Sequence, residues 1–362
     1  FADGKLWEYK ERVVFLFDEV HEDAQWADSL KILYDLFRNV FVIATGSSAL
    51  LLQSTADLVS RMFIQHVFPL SFTEYISIKQ NDKEDLSKLQ SKLQETLLHS
   101  KTHEELKNNI TKLESSIIDY YSRITNVEDT ISDYIIYHNI TRFSLQKNKA
   151  RINSQITDLV KRVIYEDIPK ISQKKNNELI SEKILRRLAA SDEINIQSLS
   201  QAIGISQNEI NETLDILVKA ELLNILYPFG GIDSKINKAH KYFFMSPSIR
   251  KVILNPLIGE TIEPDLYAKL LEDIVVLYLK RIFKQESIVS FATFKSNKNP
   301  DLIIETIDKP IIIEVGINKK TIKQITKSKI EYKYGIIINS KIDKIEFQEN
   351  IIIVPLKYIL IL

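Results

Sequence analysis

Two short apolar runs near the start of the chain, Val13-Val14-Phe15-Leu16-Phe17 and Val40-Phe41-Val42-Ile43-Ala44, are rich in β-branched and aromatic side chains. Each ends in polar or glycine-containing sequence, the pattern of a buried strand. Between them Trp26, Leu30, Leu33 and Phe37 recur at helical spacing, which predicts a helix over 26–37. Strand, helix, strand with continuous apolar strands predicts a parallel sheet covered on both faces. From Pro69 to Pro169 there is no interior proline, and from Gly46 to Gly204 no interior glycine. Within that stretch Leu86, Leu89, Leu93 and Leu97 form one stripe and Leu106, Ile110, Leu113 and Ile117 another, predicting a helical hairpin that turns at 100–103.

Three further helices are predicted over 181–190, 196–203 and 206–219. Ser206 and Glu209 form an S-x-x-E capping box at the third, and Gly204 sits at the turn before it. Strands over 222–227 and 241–245 flank a loop containing Gly230-Gly231. Three helices and a hairpin in this order predict a winged helix-turn-helix. The last third reads as a helix over 267–283, strands over 301–305 and 310–315, a helix over 321–328, and strands over 334–338 and 350–354.

Composition narrows the function classes. Of 362 residues 44% are hydrophobic and 27% charged, which excludes a wholly disordered chain. Lys+Arg and Asp+Glu each number 48, so no global field recruits nucleic acid or an anionic membrane. The charge is local: residues 1–78 hold six basic groups against eleven acidic, and 141–187 hold twelve against five. The absence of cysteine excludes disulfides and thiolate zinc sites and fits a cytoplasmic location. No apolar run approaches the roughly 20 residues of a bilayer span, and no signal-peptide pattern is present, so no membrane partner is expected.

The first candidate chemistry is Asp18-Glu19, which ends the apolar strand in the Walker B arrangement. There the Asp holds Mg²⁺ through its water shell and the Glu polarises the water that attacks the γ-phosphate. The next strand ends in Thr45-Gly46-Ser47-Ser48, small hydroxyls at the same sheet edge. The alternative for them is a polar turn with Ser47 or Ser48 capping a following helix.

In order, Phe15-Leu16-Phe17-Asp18-Glu19-Val20-His21, Trp26, Lys31, Ala44-Thr45-Gly46-Ser47-Ser48-Ala49, Leu58, Arg61 and Phe68-Pro69-Leu70-Ser71-Phe72-Thr73-Glu74-Tyr75 resemble archaeal and bacterial AAA+-type ATPases that carry a winged helix and a nuclease-like C-terminal domain. Tyr165-Glu166-Asp167-Ile168-Pro169 and Lys241-Tyr242-Phe243-Phe244 with Pro247 and Arg250 resemble later segments of that family. The resemblance implies an α/β chain made of a partial P-loop ATPase sheet (1–78), a helical lid (79–180), a winged helix (181–250) and a restriction-endonuclease-like α/β domain (251–362). It implies ATP and Mg²⁺ as cofactors, Asp18 as the metal ligand, Glu19 as the base, Thr45 or Ser47 as the sensor, and Arg61 as a phosphate-sensing arginine. Arg61 is open to a second reading, an ion pair with Asp57 one turn earlier. One departure is marked: G-x-x-x-x-G-K-[ST] occurs nowhere in the 362 residues. A P-loop is expected before Phe1, and without it the chain is expected to bind nucleotide poorly.

The second candidate lies in the last third. Asp301 opens one strand, Glu314 closes the next, and Glu272 lies on the helix before them. This resembles the PD-(D/E)XK pattern for Mg²⁺-dependent phosphodiester cleavage, except that Gly316 occupies the lysine position. Lys319 or Lys320 is left to reach back. The third candidate is the winged helix, whose last helix is expected to turn Gln207, Asn208, Asn211 and Thr213 outward, with Lys219 balanced by acids. His21 is expected to be a polar surface residue. The function expected is ATP hydrolysis coupled to domain rearrangement on double-stranded DNA, with self-association. The alternatives are a degenerate ATPase that docks nucleic acid or protein, and a metal-dependent nuclease at Asp301 and Glu314.

Overall fold

The computed structural model describes residues 12–23, 25–46, 61–82, 84–171, 177–191, 196–259, 261–283, 288–292 and 299–362. The two apolar runs form β1 (Val13–Phe17) and β2 (Val40–Ala44), paired in parallel with Val13 opposite Val40 and Phe17 opposite Ala44. The crossover is α1 (Trp26–Leu36), which buries Trp26 and Leu33. Coverage on both faces is not found: among the described residues this sheet has two strands, and Val14, Leu16, Phe41 and Ile43 share an exposed face, Leu16 at 74%. One crossover helix shields one face only. The apolar runs do form strands, but the covering layer that such strands normally imply is absent from the described residues.

A helical body follows. It comprises α2 (Phe72–Gln80), α3 (Ser87–Gln94), α4 (His103–Ser122), α5 (Val127–Asp133), α6 (Lys149–Arg162) and α7 (Ile168–Ile171). The helices α3, α5 and α6 each run on into a π-helical turn, at Glu95–His99, Tyr134–His138 and Val163–Asp167. The predicted hairpin turn falls between the first of these and α4, and Leu93, Leu97, Leu106, Ile110 and Ile117 are buried as the stripes require.

The next unit is α8 (Asn177–Ala190), α9 (Ile196–Ile203), α10 (Gln207–Lys219) and an antiparallel hairpin, β3 (Leu223–Pro228) with β4 (Lys241–Phe244). The capping box forms as read: Glu209 N–H donates to Ser206 Oγ at 3.2 Å and Ser206 N–H to Glu209 Oε2 at 2.9 Å. Gly204 has φ 80°, a conformation that costs glycine little. Within the β3–β4 connection a short α11 (Ile232–Asn237) forms where only a loop is predicted.

Two helices, α12 (Pro247–Ile258) and α13 (Pro264–Ile282), lead into β5 (Val289–Phe291), β6 (Leu302–Ile304), β7 (Ile311–Gly316), α14 (Lys323–Thr326), β8 (Gly335–Asn339), β9 (Glu346–Gln348), β10 (Ile351–Pro355) and α15 (Leu356–Ile359). Among the described residues these strands join β3 and β4 in one eight-stranded sheet, ordered β4-β3-β5-β6-β7-β8-β10-β9. The link is β3: its first part pairs with β4, while Tyr227 and Pro228 pair in parallel with Ser290 and Phe291. Three-residue strands such as β5 and β9 are too short to leave a periodic signal.

One buried cluster runs from Leu70 to Ile361 and unites helical body, three-helix unit and sheet. Buried tyrosines stitch it by hydrogen bonds: Phe72 N–H donates to Tyr278 Oη at 2.6 Å, Tyr134 Oη donates to Leu70 O at 2.7 Å, and Tyr334 Oη to Leu97 O at 3.1 Å. Burial holds the Tyr134 and Tyr278 hydroxyls above their ordinary pKa range. Another tie is ionic. Arg250 on α12 and Asp273 on α13 have no side-chain exposure, and Nε and Nη2 donate to the two carboxylate oxygens at 2.6 and 2.9 Å. The same guanidinium donates to Leu188 O and Ala189 O at the end of α8, and Asp273 accepts from Phe244 N–H of β4.

Removing one partner of a buried pair strands the other charge. Asp273→Asn is therefore expected to cost roughly 3–5 kcal/mol of stability, read as a drop in the denaturant midpoint.

Candidate functional site

Backbone and side-chain bonds staple the carboxyl ends of β1 and β2 together. Thr45 N–H donates to Phe17 O at 2.8 Å and Val20 N–H donates to Thr45 O at 3.0 Å. This register sets Thr45 beside Asp18, and the Thr45 hydroxyl donates to Asp18 Oδ1, which also accepts from Glu19 N–H at 3.1 Å. Both residues are exposed at the sheet edge. Glu19 takes a left-handed backbone, φ 52° and ψ 42°, an uncommon and strained choice for a residue with a Cβ. It borders a cleft of about 650 Å³ whose other walls include His66, Arg142, Arg162 and Glu221.

His21 departs from expectation. Its ring is buried, with Nδ1 3.4 Å from Glu19 Oε2 and Nε2 3.4 Å from Glu22 Oε1. The 3₁₀ turn Val20–Glu22 folds it inward, so the ring flanks the candidate base instead of facing solvent. Arg61 donates from Nε to Asp35 Oδ1 of α1 at 3.0 Å. Its suggested partner Asp57, and Ser47, lie outside the described residues.

The second constellation is assembled by antiparallel pairing. Leu302 of β6 lies opposite Ile313 of β7, and continuing that register by one residue sets Asp301 opposite Glu314. Asp301 Oδ2 accepts from Val315 N–H at 2.8 Å and from Lys319 Nζ at 3.1 Å. Lys319 Nζ also contacts Glu314 Oε2 directly. Glu314 is fully buried, and among the described residues its Oε1 has no hydrogen-bond partner. Burial, and then the charge of Asp301, push the Glu314 carboxyl up to about 8. Against burial, which lowers it, Asp301 and Glu314 hold the Lys319 ammonium above its ordinary range.

Of the two lysines left open by the sequence, Lys319 is the one that reaches back; Lys320 pairs with Glu346 at 2.7 Å. Gly316 makes the path. A Cβ there would lie 2.9 Å from Lys319 Cβ, so a side chain at that position would displace the lysine. The buried Asn339, opposite Gly316 on β8, donates from Nδ2 to Lys319 O at 3.0 Å. Asn339 carries no sequence signal, because its role depends on β8 lying beside β7. Glu272 is half-buried on α13, while the adjacent Asp273 is the fully buried carboxylate of that helix.

On α10, Gln207, Asn208, Asn211 and Lys219 are exposed. Thr213 is not: it is buried and donates to Glu209 O at 2.8 Å. It sits on the inner stripe with Ile210, Leu214 and Leu217, which face the core.

Comparison with known proteins agrees with the amino-terminal reading. A family described as an AAA domain matches residues 3–76, and one described as a domain of unknown function matches residues 142–256. An uncharacterized protein of Methanocaldococcus jannaschii is 30% identical over 360 residues, covering 98% of this chain and 72% of that protein. No solved structure matches the chain. With that degree of identity along nearly its whole length, the chain belongs to the family of this uncharacterized archaeal protein, and its amino end carries the match to an AAA domain.

Proposed function

We propose that the protein is an AAA-type ATPase in which ATP hydrolysis is coupled to domain rearrangement, with duplex DNA as the partner. The observation that carries this reading is the hydrogen bond from Thr45 to Asp18 across the carboxyl ends of two parallel strands, beside Glu19. Asp18 is a single exposed carboxylate whose two hydrogen bonds both land on Oδ1, a fit for Mg²⁺ held through water. When bound, that ion supplies charge neutralisation on the phosphates. Glu19 accepts the proton of the attacking water. His21, packed against it, limits the directions its carboxylate can take. The Thr45 hydroxyl holds Asp18 in place. The reading requires a phosphate-cradling loop from outside residues 1–362, since no such motif occurs within them. The exposed Gln207, Asn208, Asn211 and Lys219 of α10 form the DNA-facing surface.

A second reading is favoured by one specific observation, the return of Lys319 to the Asp301–Glu314 pair. Paired hard-oxygen donors with a lysine suit Mg²⁺-dependent cleavage of phosphodiesters. Among the described residues no group of three or more His, Cys, Asp or Glu is placed to hold a metal ion, so Asp301 and Glu314 would hold the ion with water completing its shell.

Three outcomes are expected. In the full-length protein, Glu19→Gln lowers the ATP turnover number by roughly 10²–10⁴-fold while ATP binding persists; an unchanged rate removes the role of Glu19. Mg²⁺-dependent nicking of duplex DNA disappears on Asp301→Ala, and cleavage that survives this change rules out the second centre. The third concerns pH. Because the folded Glu314 carboxyl titrates near 8 against an ordinary 4.5, the native state keeps a proton that the unfolded chain has lost between those values. Stability should therefore fall as pH rises through that window and level off above it, and Glu314→Gln should flatten the fall in thermal unfolding scans.

A further inference from the structure

We infer that Lys319 is a resident cation closing the Asp301–Glu314 pair, and that a divalent ion enters this centre only by displacing the lysine ammonium. This inference rests on the reading of Asp301 and Glu314 as a metal-holding pair and adds how the centre is kept shut. The ammonium occupies the place an ion would take: it lies 3.1 Å from Asp301 Oδ2 and contacts Glu314 Oε2. A second positive charge within the same few ångströms would be repelled strongly where water is scarce, so lysine and metal exclude one another.

The arrangement is built into the backbone. Asn339 holds the Lys319 carbonyl at 3.0 Å, and its own Oδ1 accepts from Lys341 N–H at 2.8 Å. Ser340 Oγ donates to Ile317 O at 3.2 Å, and Ser340 N–H to Gly316 O at 3.2 Å. These bonds fix the turn after β7, so the lysine stem starts from a defined point. Gly316 removes the one side chain that would block its path. The exit is equally defined. Whereas Glu314 is fully buried, the Lys319 side chain is 21% exposed, and its flexible four-carbon stem can carry the ammonium outward once a divalent ion takes its place at Asp301 and Glu314. In that outward position it faces solvent, where the phosphate of a nucleic-acid substrate would approach.

The test is Mn²⁺ binding to the full chain by isothermal titration calorimetry, without substrate. Lys319→Met is expected to bind Mn²⁺ about tenfold or more tightly than the unaltered protein, because the competing charge is gone. Gly316→Ala, which keeps the lysine but pushes its stem aside, is expected to shift affinity in the same direction. It keeps the proposal open to refutation should Lys319→Met fail to fold. Lys320→Met, at the neighbouring lysine paired with Glu346, should leave affinity unchanged. If Mn²⁺ binds and is lost on Asp301→Asn, yet neither Lys319→Met nor Gly316→Ala tightens it, competition is overturned and the metal-holding pair stands. If no form of the protein binds Mn²⁺, both are overturned.

Discussion

The buried ion pair of Arg250 and Asp273 is the constraint on which the rest of the structure depends. Two charges with no side-chain exposure are tolerable inside a protein only when their hydrogen-bonding capacity is met. Here it is met by parts of four elements: the last carbonyls of α8, the end of β4, and the two helices that carry the pair. Satisfying those bonds fixes the three-helix unit against the sheet. It also sets α13, which packs on β7, the strand bearing Glu314. The continuous β3, shared by hairpin and sheet, reinforces the same junction.

The two candidate centres differ in how the protein treats their carboxylates. Asp18 and Glu19 stand exposed at the edge of a sheet that has two strands among the described residues, and none of the residues of those two strands belongs to the main core. Their organisation comes from short local bonds: a hydroxyl across the strand ends, a left-handed turn at Glu19 and a buried imidazole beside it. Asp301 and Glu314 belong to the eight-stranded sheet, where burial raises the cost of charge and a lysine must answer it. Water can reach the first directly. The second is shut by its own side chain.

Much of the architecture was legible locally. The start of α10 was written in Ser206 and Glu209, and the helical hairpin in two apolar stripes whose inner members are buried. β1 and β2 were apparent as apolar runs, and Asp18, Thr45 and Asp301 lie at strand ends as expected, whereas Glu314, expected to close its strand, sits inside β7, which runs on to Gly316. The misses share a cause. Thr213 was assigned to the outer surface because its polarity outweighed its position on the inner stripe, and His21 because a loop histidine has no periodicity to betray its burial. β5, β9 and α11 are too short to register.

The sequence by itself determined where many of the longer strands and helices lie, that Asp18 follows one strand and Asp301 precedes another, and that a lysine was missing two residues after Glu314. Periodicity, capping and turn chemistry act over a few residues, so they can be read from a string. Tertiary structure alone decided which lysine compensates, that Asn339 anchors it, that Arg250 meets Asp273, and that Phe72 meets Tyr278 across 206 residues. Those outcomes depend on strand register and on burial. Both arise only when distant segments exclude water together and must then satisfy one another's charges and hydrogen bonds.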